Sequence, residues 1–564
     1  MPEVLKSLST KTDDTEFYTN VPKNYLRGKT KYIIITGSVI SGVGKGTFSS
    51  SIGTLLKLLH GFRVSPVKFD GYLNCDAGTL NPFRHGEVFV LDDGTECDLD
   101  LGTYERMINE NFSKDNYLTS GKIFKMIIDK EREGKYLGRD VQFIPHVTGE
   151  IKGFLRNLAV NSKADIVLVE VGGTVGDLEN SYFLEAMREL AYEEGRENVC
   201  FINVTYVLRP GSLGEHKSKA SQLGIKNLMS LGIQPDLIIC RSETPINHKI
   251  KEKISIFSNV PVSRVVASSD VKNIYHIPLF LRDVGVDKEI LDILHLRGKG
   301  NGSHDFDKWK KLVDMINRAD KEITVGIAGK YTNVQDSYLS ILKALEHTAP
   351  YHGAKVKVKW IETTDIENGK ISVEDAMRNV NGLIVPGGFG LRGTEGKISC
   401  VKYAREKKIP FLGLCFGFQM AVIEFARNVC GVKDANSSEV CERGDAVICI
   451  LPEQEEIKEL GGTMRLGGLD LIVKEKTLTH KLYGKTRIRE RFRHRYNVNT
   501  KYLDALEKGG MVFSGFAPKK RIMQILELPG HPFFVATQFH PELSSKPLKP
   551  SPMFMGFIGA CVKS

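Results

Sequence analysis

Twice along this chain, short apolar runs alternate with amphipathic helical patterns, and that alternation limits the possible folds more than any other feature. Strands that feed helices and return in the same direction build parallel sheets, so both halves are expected to be α/β. The first series has strand-like runs at 32–35, 63–68, 165–171, 201–207 and 236–240. The second has them at 323–328, 355–361, 382–385, 411–414 and 534–539. Between the two lies Arg297-Gly-Lys-Gly-Asn-Gly-Ser-His304, a Gly-rich polar stretch that reads as a linker. The expected layout is therefore an extension at 1–30, one module at 31–296, a linker at 297–321 and a second module at 322–564. The extension reads as a mobile arm or an added surface segment.

Composition narrows the class. The chain is 41% hydrophobic and 26% charged, as in soluble globular proteins, and no apolar run approaches the roughly 20 residues of a membrane span. Ten cysteines are scattered without a Cys-x-x-Cys pair, which indicates neither a zinc site nor a disulfide framework. A reducing compartment, the cytoplasm, is the expectation. The first thirty residues carry Glu3, Asp13, Asp14 and Glu16 and lack the apolar core of a signal peptide. The net charge of +10 is modest and no nucleic-acid signature accompanies it, so neither nucleic acid nor membrane is expected as a partner. The densest basic run, Arg487 to Arg495, reads either as a hold for an anion or as a solvated face or subunit contact. Small phosphate-rich substrates account better for the positive balance.

Chemistry is most legible near the C-terminus. An apolar strand ending at Leu414 runs into Gly413-Leu-Cys415-Phe-Gly417 and then into an amphipathic helix. Such a strand–turn–helix elbow holds a nucleophile exposed at a helix N-terminus, where the dipole favours the Cys415 thiolate. His540 and Glu542, two apart after an apolar run, project to one side of an extended segment. His540 then takes the thiol proton and Glu542 orients the imidazole. Cys, His and Glu in this order resemble the class I glutamine amidotransferases, which release ammonia from glutamine. The bland alternative is a structural cysteine and an unrelated histidine. Gly387 and Gly388, after a buried strand, offer backbone amides for an oxyanion hole.

In the N-terminal half a strand feeds Gly37-Ser-Val-Ile-Ser41-Gly42-Val43-Gly44-Lys45-Gly46-Thr47, which opens a helix. Successive amides plus Lys45 make a cradle for phosphate. The strict P-loop pattern fails, because it wants Gly at Val39 and Ser or Thr at Gly46. Four further segments accompany the loop, beginning at Val67, His85, Asp93 and Val169. They read Val-Lys68-Phe-Asp70-Gly-Tyr72-Leu-Asn74, His85-Gly-Glu87-Val, Asp93-Gly-Thr-Glu96-Cys-Asp98-Leu-Asp100 and Val169-Glu170-Val-Gly-Gly-Thr-Val-Gly-Asp177-Leu-Glu179. Together with the elbow they resemble the CTP synthase family from about residue 30 onward.

That resemblance implies a P-loop-like Rossmann-type parallel sheet followed by a flavodoxin-like α/β class I glutaminase. It implies ATP-dependent amination of UTP to CTP through a 4-phosphoryl intermediate, with CTP as product inhibitor. ATP would lie on Ser41, Gly42, Val43, Gly44, Lys45, Gly46, Thr47, Lys68 and Asp100. Asp100 and Glu170 are hard oxygen ligands suited to Mg²⁺, and the resemblance puts the metal on them. Asp98 would share a face with Asp100 if the segment is extended. UTP or CTP would meet Asp177, Glu179, Lys217, Lys219, Gln222 and Lys253, although Ala220 stands where the family usually has proline. Glu439 and Arg465 match residues that hold glutamine. GTP activation through the short acidic loop 451–460, a homotetramer, filaments and a shielded ammonia passage are implied as well. Three alternatives remain open at this point: a cobyric-acid-type amidoligase, a simple glutamine hydrolase and a non-catalytic filament scaffold.

Overall fold

The computed structural model describes residues 21–211, 214–300, 303–330, 335–388, 390–440, 445–451, 454, 464–519 and 522–564. The chain forms two compact units: Met1–Asp76 with Thr103–Lys310, and Ala77–Gly102 with Lys311–Ser564.

The first unit is built on seven parallel strands: β1 (Lys31–Gly37), β2 (Val64–Asp70), β3 (Tyr117–Thr119), β4 (Ile166–Val171), β5 (Val199–Tyr206), β6 (Leu237–Ser242) and β7 (Val265–Ser269). Their order across the sheet is β3-β2-β4-β1-β5-β6-β7. The strands are buried on both faces, as parallel sheets require, which is why they read as unbroken apolar runs. Tyr32, Ile34, Val67, Phe69, Val167 and Val169 pack with Phe183 and Leu190 of a covering helix. Phe69 stacks on Phe183 at 4.8 Å between ring centres. Each such side chain stabilises the fold by about 1.5–3 kcal/mol. Because β1 is central, the loop that follows it opens at the carboxyl edge of the sheet, where ligands of such folds collect.

Two expectations change here. Residues 21–30 are anchored rather than free: Tyr25 is buried and its hydroxyl donates to Glu194 at 2.8 Å. The stretch read as a linker contains a helix, Ser303–Arg318, whose Phe306 and Trp309 are buried. Trp309 Nε1 donates to the Tyr275 carbonyl at 2.9 Å.

The second unit is built on a nine-stranded sheet: β8 (Lys321–Gly329), β9 (Ala354–Glu362), β10 (Gly382–Val385), β11 (Phe411–Leu414), β12 (Arg465–Val473), β13 (Arg487–His494), β14 (Val512–Phe516), β15 (Met523–Glu527) and β16 (Phe534–Thr537). In the order β9-β8-β10-β11-β16-β15-β14-β12-β13, the first five are parallel and the rest antiparallel. Adjacent strands β11 and β16 therefore end at the same edge, one delivering Cys415 and the other His540.

The segment 77–102 belongs to this unit although it leaves the chain between β2 and β3. Its short hairpin, Phe89–Val90 with Glu96–Cys97, sits on β13. Arg493 pairs with Glu96 at 2.7 Å, Arg489 with Asp92 at 3.0 Å, and Arg491 donates to the Val90 carbonyl at 3.1 Å. Arg489, Arg491 and Arg493 of the basic run thus clamp this hairpin, while Arg487 pairs with Asp470 and is exposed.

Candidate active sites

The elbow of the second unit is made by steric exclusion. Cys415 has φ 51° and ψ −98°, a strained conformation for a residue with a side chain, and caps the helix Phe416–Asn428. Its N–H donates to the Thr537 carbonyl at 2.7 Å, tying the turn to β16. A Cβ on Gly417 would stand 2.0 Å from the Val385 carbonyl oxygen, and one on Gly413 would stand 2.8 Å from the oxygen of Gly417. Only glycine fits at either place.

His540 Nδ1 donates to Glu542 Oε1 at 2.7 Å. The two do not lie on an extended segment: Glu542 is in a short helix, Pro541–Ser544, capped by His540. The helical turn brings the carboxylate under the ring. Burial lowers the His540 pKa, but the charges of Glu542 and Cys415 outweigh it and raise the pKa to about 10. His540 Nε2 is buried without a hydrogen-bonded partner. A Cβ on Gly387 would lie 3.0 Å from His540 Cε1 and 3.6 Å from Cys415 Cβ, so all three residues meet. The Cys415 thiol reaches the Arg493 carbonyl at 3.5 Å and Gln538 Nε2 at 3.6 Å.

Cys415, His540, Gly387 and Gly388 line a cavity of about 640 Å³, together with Glu439, Arg495 and Tyr496. Another part of its wall is Gly78, Thr79, Glu87 and Val88 from the inserted segment. Glu439 accepts the Gly390 N–H at 3.0 Å; burial pushes its pKa up, against that bond and the charges of Lys330 and Lys397. Arg465 is not on the wall: it opens β12, with its guanidinium 5.5 Å over the Phe492 ring. Arg495 is the wall arginine that sequence reading missed. It lay inside a basic run that gave no hint of which guanidinium turns inward. Next to the site, burial lowers the His494 pKa to about 3, helped by the charges of Arg465 and His540 and opposed by the Tyr496 carbonyl.

In the first unit the loop after β1 is made by backbone freedom. Val39 (φ 78°), Gly42 (φ 71°) and Gly44 (φ 96°) all take left-handed conformations. Val39 therefore adopts the backbone that the missing P-loop glycine would have taken. Ser41 and Gly42 are exposed, Val43 and Gly46 are buried, and Thr47 faces a small hollow. Lys45, 8% exposed, opens the helix Lys45–Thr54, and its ammonium donates to the Gly173 carbonyl at 2.7 Å. Lys68 pairs with the buried Glu170 at 2.9 Å, and Tyr104 donates to the other Glu170 oxygen at 2.8 Å. The hollow beside the loop, about 80 Å³, is lined by Thr47, Phe48, Arg241, Ser268 and Asp270. Arg241 pairs with Asp270 at 2.6 Å and had not been singled out, although the carboxyl ends of β6 and β7 were the place to look.

Asp98 and Asp100 do not share an extended face. Asp98 accepts the Asp100 N–H at 2.9 Å at the start of the helix Leu99–Ile108, and both residues belong to the second unit. Among the described residues no group of three or more His, Cys, Asp or Glu is gathered for a metal. Asp177 and Glu179 follow β4 and are exposed; Asp177 accepts the Thr174 N–H at 2.6 Å. Lys217 pairs with Glu215, whose pKa is lowered mainly by Lys217 and also by the charges of Lys253 and Lys249. Lys219 is exposed at the start of the helix Lys219–Ser230, and the buried Gln222 donates to Ser218 Oγ at 3.0 Å. Of loop 451–460 only Leu451 and Gln454 are among the described residues.

Residues 31–296 match the family model for the CTP synthase N-terminus, and residues 333–560 match that for class-I glutamine amidotransferase. The CTP synthase of Thermococcus gammatolerans is 49% identical over 533 residues, covering 94% of this chain and 98% of that protein. The CTP synthase of Archaeoglobus fulgidus is 49% identical over 534 residues, with the same coverage. That of Saccharolobus solfataricus is 48% identical over 533 residues, covering 94% of this chain and 99% of its own.

Proposed function

The chain belongs to the CTP synthase family, and from that premise we propose how its residues divide the reaction. The enzyme aminates UTP to CTP, with ATP as co-substrate and nitrogen taken from glutamine. In the proposed glutaminase step the Cys415 thiolate attacks the amide carbon and the amides of Gly387 and Gly388 receive the oxyanion. His540, with its pKa raised to about 10, is an imidazolium at neutral pH and gives its proton to the departing ammonia. Glu542 keeps the ring in place, and water then releases glutamate from the thioester. Glu439 takes the α-ammonium of glutamine. Arg495 takes the α-carboxylate, because it is on the cavity wall and Arg465 is not.

One observation carries the coupling of the two chemistries. The cavity around Cys415 is walled by Gly78, Thr79, Glu87 and Val88, a segment sent out from between two strands of the synthase sheet. A shielded passage for ammonia would start in this cavity, along residues 78–88.

In the synthase half the O4 of UTP attacks the γ-phosphate of ATP, which gives a 4-phosphoryl intermediate. Ammonia then attacks C4 and phosphate departs. Lys45 and Lys68 neutralise charge on the transferring group. Glu170, held by Lys68 and Tyr104, fits Mg²⁺ as a pre-oriented carboxylate, with Asp100 as a second oxygen ligand. One or two carboxylates suffice for this ion when substrate phosphates supply the rest. Held by these residues, Mg²⁺ would supply positive charge to offset that of the phosphates. Asp177, Glu179, Lys217, Lys219, Gln222 and Lys253 take UTP and, as product inhibitor, CTP. GTP acts as allosteric activator through loop 451–460. The exposed apolar side chains of Phe143, Ile144 and Leu178 suit a homotetramer, able to stack into filaments. The cytoplasm is the proposed compartment, in keeping with the free state of the nine described cysteines.

The test compares the wild type with Cys415→Ala, each supplied with UTP, ATP and Mg²⁺ and either glutamine or ammonium. The variant is expected to lose glutamine-dependent CTP synthesis and keep the ammonium reaction. A wild type that makes no CTP from either nitrogen source overturns the proposal.

A further inference from the structure

The helix Thr394–Glu406 follows the Gly387–Gly388 turn, and its first turns carry a buried lysine, Lys397. Lys397 is 1% exposed. Its ammonium lies 4.7 Å from the centre of the Phe416 ring and 3.6 Å from where a Cβ on Gly388 would stand. Among the described residues it makes no hydrogen bond or close ion pair; the aromatic face is its nearest partner. Lys330, Glu362, Glu439 and Glu367 are the charged groups that act on it, the lysine against its charge and the three carboxylates in favour. A buried ammonium with so little compensation destabilises a fold, and an apolar residue of the same length would serve the core better. Its surroundings are not neutral ground, however. Phe416 follows the nucleophile, and Gly388 belongs to the turn whose amides face the reacting carbonyl.

We propose that Lys397 is a positioning residue of the glutaminase, lodged between the Phe416 ring and the Gly387–Gly388 turn, where it fixes the turn's amides and adds positive potential behind the oxyanion. This rests on the glutaminase reading of Cys415. Preorganised charge of this kind acts most strongly where water is excluded. Burial and Lys330 lower the lysine pKa to about 7 in the resting site, so its charge is partial near neutrality. Negative charge developing in front of it pulls the proton back. The free enzyme and the substrate complex should then titrate at different pH, the first seen in kcat/KM and the second in kcat.

The experiment uses full-length wild type, Lys397→Met, Lys397→Arg and Cys415→Ala, assayed for glutamine hydrolysis and for ammonium-dependent CTP synthesis across neutral and alkaline pH. Thermal melting is recorded for each. Lys397→Met should lower the glutamine kcat by about tenfold or more, keep the ammonium reaction and melt at a higher temperature. The falling limb of kcat/KM around neutrality should vanish in it. Lys397→Arg, charged throughout, should recover part of kcat without that limb. A Met variant with wild-type kcat and pH profile overturns the inference. So does one that loses both activities and melts lower, since Lys397 would then be a packing residue. If Cys415→Ala still hydrolyses glutamine, the glutaminase reading fails and the inference falls with it, whatever the Lys397 variants do.

Discussion

The loop after β1 and the elbow after β11 solve the same problem, a strand turning sharply into a helix that presents chemistry at its N-terminus, by opposite means. At the loop the glycines provide conformations: Gly42 has φ 71° and open space where a side chain would go. At the elbow they provide room: Gly413 and Gly417 are hemmed in by backbone at 2.8 Å and 2.0 Å. Each motif also holds one non-glycine residue at positive φ, Val39 at 78° and Cys415 at 51°. A phosphate cradle must leave its amides open to a ligand that brings its own bulk. A thiol nucleophile must be locked in one direction before any substrate arrives. Open space and crowding thus fit the two jobs proposed for these turns.

The largest expected effect tests the crowding. Gly417→Ala should destabilise the second unit by about 3 kcal/mol and abolish glutamine-dependent synthesis; denaturant unfolding and the two nitrogen assays check it. A variant that folds and hydrolyses glutamine normally would break the comparison. Next, Glu542→Gln removes the charge that most raises the His540 pKa. Glutamine hydrolysis should fall by about 10²-fold or more. The raised pKa contributes stability that is complete below the ordinary histidine pKa of about 6.5 and is lost as pH rises through about 10. Wild-type stability should therefore decline across that window, and the variant's decline should be smaller; melting at several pH values reads this. Gly42→Ala should do less: with no clash, the left-handed backbone costs about 1–2 kcal/mol, and KM for ATP should rise several-fold while glutamine hydrolysis without nucleotide is unchanged. Smallest of all, Val39→Gly relieves a strained β-branched residue and should raise stability by about 1 kcal/mol or less, visible as a small shift in melting temperature.

Most of the fold was legible because buried parallel strands read as apolar runs. The strand at 382–385 and that at 411–414 have the expected bounds. The sharp turn at Cys415 was legible too, since a tight strand-to-helix turn needs its glycines at fixed offsets. What escaped did so for physical reasons. β13 is rich in arginine because it grips a hairpin, and Arg493 and Glu96 are 397 residues apart in sequence. No local pattern reports a partner at that distance. The helix Ser303–Arg318 was hidden behind the glycines that precede it. Asp98, expected to share an extended face with Asp100, instead accepts the Asp100 N–H at the start of a helix, a capping role that aspartate fills readily. Arg465 and Arg495 carry the same charge, and only packing distinguishes the one over Phe492 from the one on the cavity wall.

The hairpin held by β13 also bears on how the protein is made. Ribosomes add about 5–20 residues per second, so Glu96 leaves the exit tunnel roughly 20 to 80 s before Arg493. Throughout that interval the segment 77–102, with the buried side chains of Phe89, Val90 and Cys97, has no surface to settle on. The synthase sheet can close behind it, but the glutaminase cavity stays without one of its walls until the last strands are translated. A nascent chain of this protein thus carries apolar side chains without their folded partner strand for most of its synthesis, the kind of surface that chaperones shelter.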